Sequence, residues 1–596
     1  MRTALCSALA LAAACSGAAP ASGPAAPHPT DAAPRRAALD AVLQRQWEYR
    51  LAHEPELATS VGDPRYNDRW SDYSAPAIAA DLAQARAFLD ELRAIDAAGL
   101  PEQDVLNHRL MVRELQRRLD EARFEGWLMP IDQFTGIQIA LPQMVSVQPF
   151  ATVADYEHYV ARLDALPTVL AQAIALAKDG QAKGLIPPRF ILERVVGQGE
   201  KLAAGPAAQS PFAQPVERFP DAIPAAEQKR LRAAVLASIE QRVLPAYAAF
   251  TTFVRRDYAP KGRTEVGAWA LPDGDARYAA AVKFYTTTDL SADEIHELGL
   301  REVARIEAEA TAIARRLGFA ELASLQASIR ADEKLHATSR EDILGRYQTL
   351  TDAMYRELPR LFGRLPQQKM GIQPTEPYRE KEAPGAEYIL GTPDGSRAAV
   401  VRVNTADPTH RVLTGVETTA YHEGVPGHHL QIAIAQEVPG LARFRQFAYY
   451  GAFIEGWALY AEHLAKEVGF YRDPYSEYGH LEAELMRAIR LVVDTGLHHK
   501  KWSRDQVVAY FRAHSALDEP TIQNETDRYI VLPGQALSYK VGQLTILRLR
   551  QKAQDALGAA FDLRGFHDEV LGGGALPLDV LEERIDAWIA RRKAVR

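Results

Sequence analysis

Cysteine is almost absent from the chain: Cys6 and Cys15 are the only two in 596 residues. No internal disulfide can therefore brace the body of the protein, whichever compartment it occupies. An excess of positive charge is also missing. Lys and Arg number 69 against 77 Asp and Glu, a formal net charge of -8. That balance excludes the basic surface that phosphate backbones demand, so no nucleic-acid partner is expected. Beyond the N-terminus no run reads as long and apolar enough for a transmembrane helix, and no internal repeat is visible. What remains, 47% hydrophobic and 24% charged residues, is the composition of a folded globular protein with one very large core or several ordinary ones.

The first residues stand apart. MRTALCSALALAAAC places Arg2 before a run of small apolar side chains and Leu, too short to span a bilayer and patterned as a secretory signal. Its end, LAAACSG, resembles the lipobox of bacterial prolipoproteins, with Cys15 as the lipid-modified residue and Ala12 where Leu is commonest. Ser16 then favours an outer-membrane address over the open periplasm. The alternative is an ordinary signal peptide cleaved within AAACSGAAPASG. Either way the chain is exported, and its only expected membrane contact is a lipid on Cys15. Residues 1–14 read as the signal and the Ala/Pro/Gly/Ser-rich residues 15–36 as a flexible tether.

Helical texture follows. DLAQARAFLDELRAIDAAGL and QDVLNHRLMVRELQRRLDEARF space their apolar residues by three and four. Ser291 and Glu294 spell a capping box. Between Gln373 and Asp407, two β-rich runs around PDGS predict a hairpin, and the run ending RVNTADP is expected as a sheet edge along a cleft, with Asn404 and Thr405 as substrate contacts. Long helices then return. The expected architecture is mainly α: two lobes around a deep cleft with a small sheet, residues 37–596 forming a single domain.

The segment YHEGVPGHHLQ, residues 421–431, begins like a zinc-hydrolase helix with His422 and Glu423, then departs from the His-Glu-x-x-His pattern. On an unbroken helix His428 would be rotated by about 240° from His422, and His429 would stand about 10 Å further along the axis. Neither would share an ion with His422. Pro426 and Gly427 permit a bulge that shortens and rotates the next turn, and His428 is preferred as the second ligand, with His429 as the alternative. Downstream, Glu455 and Glu462 lie seven apart in AFIEGWALYAEHL and so on one helix face. Glu455 is the candidate third ligand, leaving a fourth position for water, and Glu462 a supporting carboxylate. In MRAIRLVVDTGLHHKKW, Arg490, Asp494 and His498 form a polar stripe, with Asp494 a candidate partner for a metal-bound imidazole and His498 a candidate donor to substrate.

YHEGVPGHHLQ, EGWALYAE, LVVDTGLHHKKW and PGQALSYKVGQL together resemble the signature segments of DUF885, a bacterial family whose members are often described as lipoproteins. The resemblance spans nearly the whole mature chain. It implies a distant similarity to the helical, cleft-forming zinc metallopeptidases of the thimet-oligopeptidase and angiotensin-converting-enzyme type. On that similarity Glu455 corresponds to the third ligand and Tyr539 to the residue that steadies the oxyanion, while Arg528, Tyr529 and Gln535 stand near it as candidate substrate contacts. The implied reaction is zinc-dependent hydrolysis of short peptides, one ion per chain, with Glu423 as general base; manganese or cobalt could share such ligands. Two other readings are a non-catalytic peptide-binding lipoprotein and a metal-dependent amidase acting on a non-peptide substrate.

Overall fold

The computed structural model describes residues 29–376, 380 and 383–594. The expected signal, Cys15 and the tether up to residue 28 lie outside the described residues. The end of the tether is a correction, because helix α1 (Pro29–His53) begins inside it. Arg35 donates to the Asp96 carboxylate and to the carbonyls of Asp96 and Ala98, and Arg36 pairs with Asp104 at 2.9 Å. These ties bind the Pro- and Ala-rich stretch into the folded body despite its composition.

Helices dominate, as the periodicity predicts. Reciprocal capping boxes start two of the longest, Thr152 with Asp155 at α2 (Val153–Ala182) and Ser291 with Glu294 at α3 (Ala292–Arg316). A second correction concerns α2, which with a mean hydropathy of 1.4 is long and apolar enough to cross a membrane. Here Leu163, Leu166, Leu170 and Ala177 are buried against the helices Ala225–Ser238 and Leu244–Phe253, in a core whose buried residues come from 131–259, with Trp70 and Tyr73 packed on it. An Ala- and Leu-rich helix at the centre of a helical lobe meets the same length and hydropathy tests as a membrane span.

The β-rich interval forms the expected hairpin. Strands β1 (Met370–Pro374), β2 (Ala386–Ile389) and β3 (Ala399–Val403) make one sheet in the order β1-β3-β2. β2 and β3 are antiparallel, with Tyr388 opposite Val401, while β1 adds in parallel with Ile372 opposite Val401. The strand leading into RVNTADP is therefore central and not an edge, because β1 occupies its far side; the edge strands are β1 and the hairpin's own β2. Ala399, Val401 and Val403 are buried accordingly.

Past the sheet run α4 (Val416–Glu423), α5 (His428–Glu437), α6 (Gly451–Glu467), α7 (Pro474–His498), α8 (Glu519–Val531) and α9 (Leu537–Leu557). α7 packs against α3 through Ile489, Val492, Val303 and Ile306. α6 and α9 cross where two glycines meet. A Cβ on Gly456 would fall 2.4 Å from the Gly542 Cα, and one on Gly542 would fall 1.8 Å from the Ala452 carbonyl oxygen. This close approach sets the position of α6. Gly542→Ala should lower stability by about 1–3 kcal/mol through overpacking, whereas Gly to Ala at an open helical site stabilises. Thermal melts of that single variant check it; an unchanged or raised melting temperature contradicts the close approach.

Candidate metal centre

The His-Glu helix is not bulged but ended. α4 stops at Glu423, Gly424 still donates its N–H to the Ala420 carbonyl, and a new helix, α5, starts at His428. Between them the His429 N–H reaches the Gly424 carbonyl at 3.1 Å, and Trp457 of α6 donates to the Pro426 carbonyl at 2.9 Å. Gly427 lies so close beneath the end of α4 that a Cβ would stand 2.0 Å from the His422 carbonyl oxygen and 2.4 Å from that of Tyr421. Only glycine fits there. The expected shortening is therefore achieved by a break between two helices, and it brings the His428 ring to 4.8 Å from the His422 ring, nearly perpendicular to it.

Three ligand atoms then converge. The Nε2 atoms of His422 and His428 lie 3.6 and 3.5 Å from Glu455 Oε2, and one ligand atom from each residue lies within 4.8 Å of the other two. Two donors about 2.1 Å from a tetrahedral zinc ion would be about 3.4 Å apart, close to both spacings. Glu455 Oε2 is buried yet makes no hydrogen bond among the described residues. The donor set is two imidazoles and a carboxylate, and the orphaned oxygen faces both ring nitrogens without bonding either; a divalent cation fits.

His422 is oriented by its other nitrogen. Nδ1 meets Glu462 Oε1 at 2.7 Å, so the two carboxylates of α6, two turns apart, grip opposite sides of one ring. A proton on Nδ1 leaves the Nε2 lone pair free for a cation. Glu462 in turn is faced by Arg487 at 3.7 Å and His480 at 3.9 Å. His428 has no such support: its Nδ1 is buried without a hydrogen-bond partner among the described residues. Burial opposes charge on His422, but Glu455 and Glu462 outweigh it and lift its pKa to about 9. Burial would likewise raise Glu455, and the two imidazoles that face it, His422 and His428, hold it well below the usual carboxylate range. Glu423, half-buried in the neighbouring position, is pushed upward by desolvation and by the Glu455 charge, against the two imidazoles. Its Oε2 accepts the Tyr388 backbone N–H at 2.9 Å.

A sequence profile described as "Bacterial protein of unknown function (DUF885)" matches residues 55–585. The chain belongs to the DUF885 family. A protein designated a lipoprotein, from Colwellia psychrerythraea, is similar over 94% of this chain and 100% of its own, with a TM-score of 0.89 and 28% identity. Another, designated a lipoprotein of unknown function, from Shewanella oneidensis, aligns over 92% and 99% with a TM-score of 0.69 and 16% identity; that likeness speaks for the fold alone. A chain designated an oligoendopeptidase F from Bacillus anthracis reaches a TM-score of only 0.29 at 12% identity, over 86% of this chain and 96% of its own, which carries no argument. No curated protein matches.

The remaining expected residues of this DUF885 chain divide. His429 points away from the triad: Nδ1 meets the Tyr388 hydroxyl at 3.2 Å and Nε2 the Gln368 carbonyl at 3.1 Å. As a ligand it is ruled out by these partners. Asn404 is likewise no cleft contact, since its amide ties the carbonyls of Glu380 and Ala383 at 2.7 and 3.0 Å, and Thr405 is fully buried beside the Glu380 carboxylate. His498 cannot donate to substrate: Nδ1 accepts from the Ala268 N–H, and Nε2 meets the Tyr529 carbonyl, both at 2.9 Å. Asp494 supports no imidazole of the triad; it accepts from the Tyr278 hydroxyl at 2.7 Å and from the Gly534 N–H at 3.1 Å. A polar stripe on a buried helix here anchors two neighbouring segments. Arg490 binds Glu525 and the Tyr529 hydroxyl, each at 2.9 Å, and Tyr529 is a core residue.

Tyr539, Gln535 and Arg528 do form one group. Arg528 donates to Gln535 Oε1 at 2.8 Å and to the Tyr539 hydroxyl at 3.3 Å, with the Arg490 guanidinium 4.6 Å over the Tyr539 ring. Tyr449, absent from the expectations, stands at the start of α6: its hydroxyl lies 3.4 Å from where a Cβ on Gly451 would be, and burial and the Glu455 charge push its pKa upward. Its only sequence signal is the aromatic pair in YYGAF just ahead of α6. Tyr388 was hidden because its contribution is a backbone N–H. His480 and Arg487, seven apart on α7, repeat the spacing that marks Glu455 and Glu462.

Two outcomes follow from these contacts. Glu462→Ala should weaken zinc binding by about 10- to 100-fold by freeing the His422 ring, measured by competition with a chelating dye; unchanged affinity contradicts the orienting role. Asp494 is buried and its pKa raised to about 7, against about 3.9 in an unfolded chain. Between those values the folded state holds the extra proton, so the stabilisation present below about pH 4 is lost as pH rises through about 7. Asp494→Asn keeps an oxygen for Tyr278 and Gly534 without titrating. Its melting temperature relative to wild type should climb over that range, and two parallel curves would contradict it.

Proposed function

We propose that this chain is a zinc-dependent hydrolase of short peptides in the cell envelope. The observation that carries the reading is the convergence of His422 Nε2, His428 Nε2 and Glu455 Oε2 next to the half-buried Glu423. When bound there, zinc supplies Lewis acidity, lowering the pKa of a water and polarising an acyl carbonyl. Glu423 is placed to take the proton of the attacking water. It would then give that proton to the departing amine. Glu462 holds the His422 ring, and Glu455 closes the ligand set from the neighbouring helix. Tyr539, with Arg528 on its hydroxyl, is the candidate donor to the carbonyl oxygen that gains charge.

Peptides are favoured over other acyl substrates by β2. It is an edge of the sheet, and Tyr388 turns its N–H off the sheet onto Glu423, so an extended chain pairing along that edge would pass beside the general base. A pure binding role would leave Glu423 only the Tyr388 N–H to hold. Export and a lipid on Cys15 complete the proposal, resting on LAAACSG and on the designation of the similar chains as lipoproteins.

Glu423→Gln should keep its zinc while losing about 10²- to 10⁴-fold in turnover of a peptide mixture read by mass spectrometry. Cleavage by that variant at the wild-type rate would refute the general base, and a zinc-loaded wild type that cuts no peptide would refute the reading.

A further inference from the structure

Two guanidinium groups, Arg490 buried and Arg528 half-buried, share one carboxylate. Glu525 Oε2 accepts from Arg490 at 2.9 Å and from the Tyr529 hydroxyl. Its other oxygen meets Arg528 only at 3.4 Å. The remaining partners of Arg528 are neutral, Gln535 Oε1 and the Tyr539 hydroxyl oxygen, and its Nε is buried with no hydrogen-bond partner among the described residues. The cluster thus holds two positive charges against one negative in surroundings where a charge without a counter-ion is costly.

This surplus adjoins the metal centre. Gln535 accepts from Arg528 and is a neighbour of Tyr449. The Tyr449 hydroxyl stands 3.4 Å from where a Cβ on Gly451 would lie, and Gly451 is one helical turn, about 6 Å, ahead of Glu455. Phe134, 45% exposed, lies on the Arg528 guanidinium at 5.3 Å, so the cation sits under an aromatic side chain that opens to solvent. Pro533, two residues ahead of Gln535, lines with Trp127, Leu271, Phe284 and Tyr285 a cavity of about 560 Å³, within the range of small-ligand sites.

We propose that Arg528 binds a substrate carboxylate, with Gln535 and Tyr449 beside it, so that the site selects peptides by a free C-terminus. This rests on the peptide-hydrolase reading above. The guanidinium offers the planar fork that carboxylates match, and Nε is the donor left over for one. An Asp or Glu side chain presents the same group, so the test separates the two sources.

The probes are three alanine-based hexapeptides: one with a free C-terminus, one amidated, and one amidated with glutamate as its last residue. Binding is measured by calorimetry on the zinc-loaded full chain carrying Glu423→Gln, then with Arg528→Gln or Arg528→Lys added, and each variant is melted to confirm folding. The free acid should bind about 10- to 100-fold more tightly than the amide. Arg528→Gln should erase the difference, and Arg528→Lys, which keeps the charge if the glutamine variant does not fold, should recover part of it. Tight binding of only the glutamate amide would overturn selection by the C-terminus. Equal binding of all three, no binding of any, or discrimination that survives Arg528→Gln would overturn the carboxylate site. Discrimination without any cleavage by the wild type would instead defeat the hydrolase reading and leave this site standing; cleavage without discrimination would do the reverse.

Discussion

The His422 ring, held between two carboxylates of one helix, is the contact on which the rest of the site depends. Glu462 takes Nδ1 and Glu455 faces Nε2, so the seven-residue repeat of α6 is translated into an imidazole whose free lone pair has a fixed direction. Rings in a protein interior are held this way only when the supporting helix is itself fixed. Here α6 is fixed by the glycine contact with α9 and by the Trp457 bond to the Pro426 carbonyl. Backbone packing far from any chemistry therefore decides where a ligand points.

The break between α4 and α5 solves a geometric problem that a regular helix could not. Six residues separate His422 from His428, and continuous helix would turn them to different faces. Ending one helix and seating glycine against its last carbonyls folds the second imidazole back. The two histidines remain unequal: one has a carboxylate behind it, the other has a buried nitrogen with no partner among the described residues. Glu455 and Glu462, one on each side of the His422 ring, outweigh the cost of burying its charge and draw it toward protonation.

Much of this was legible in the residues. Spacing alone selected His422, Glu423, Glu455 and Glu462, because a helix repeat converts sequence distance into a shared face. The need for a distortion at Pro426 and Gly427 was equally readable, although not that the helix would end instead of bulge; that follows from a backbone approach only coordinates display. Misjudged positions share one cause. Asp494 and His498 sit on a stripe that looks alike whether it faces a cleft or the core, and their partners, Tyr278, Gly534, Ala268 and Tyr529, come from distant segments. Asn404 was misplaced with its strand, since no local signal in RVNTADP announces that β1 will pair on its other side. Tyr449 was missed because one aromatic before a helix carries no spacing to read.

The ligand set is tested most directly by anomalous diffraction at the zinc edge from crystals of the zinc-loaded protein. The account predicts a single strong peak about 2.0–2.2 Å from His422 Nε2, His428 Nε2 and a Glu455 oxygen. A zinc ion held through His429, or bound elsewhere while those three side chains remain without it, would contradict the account.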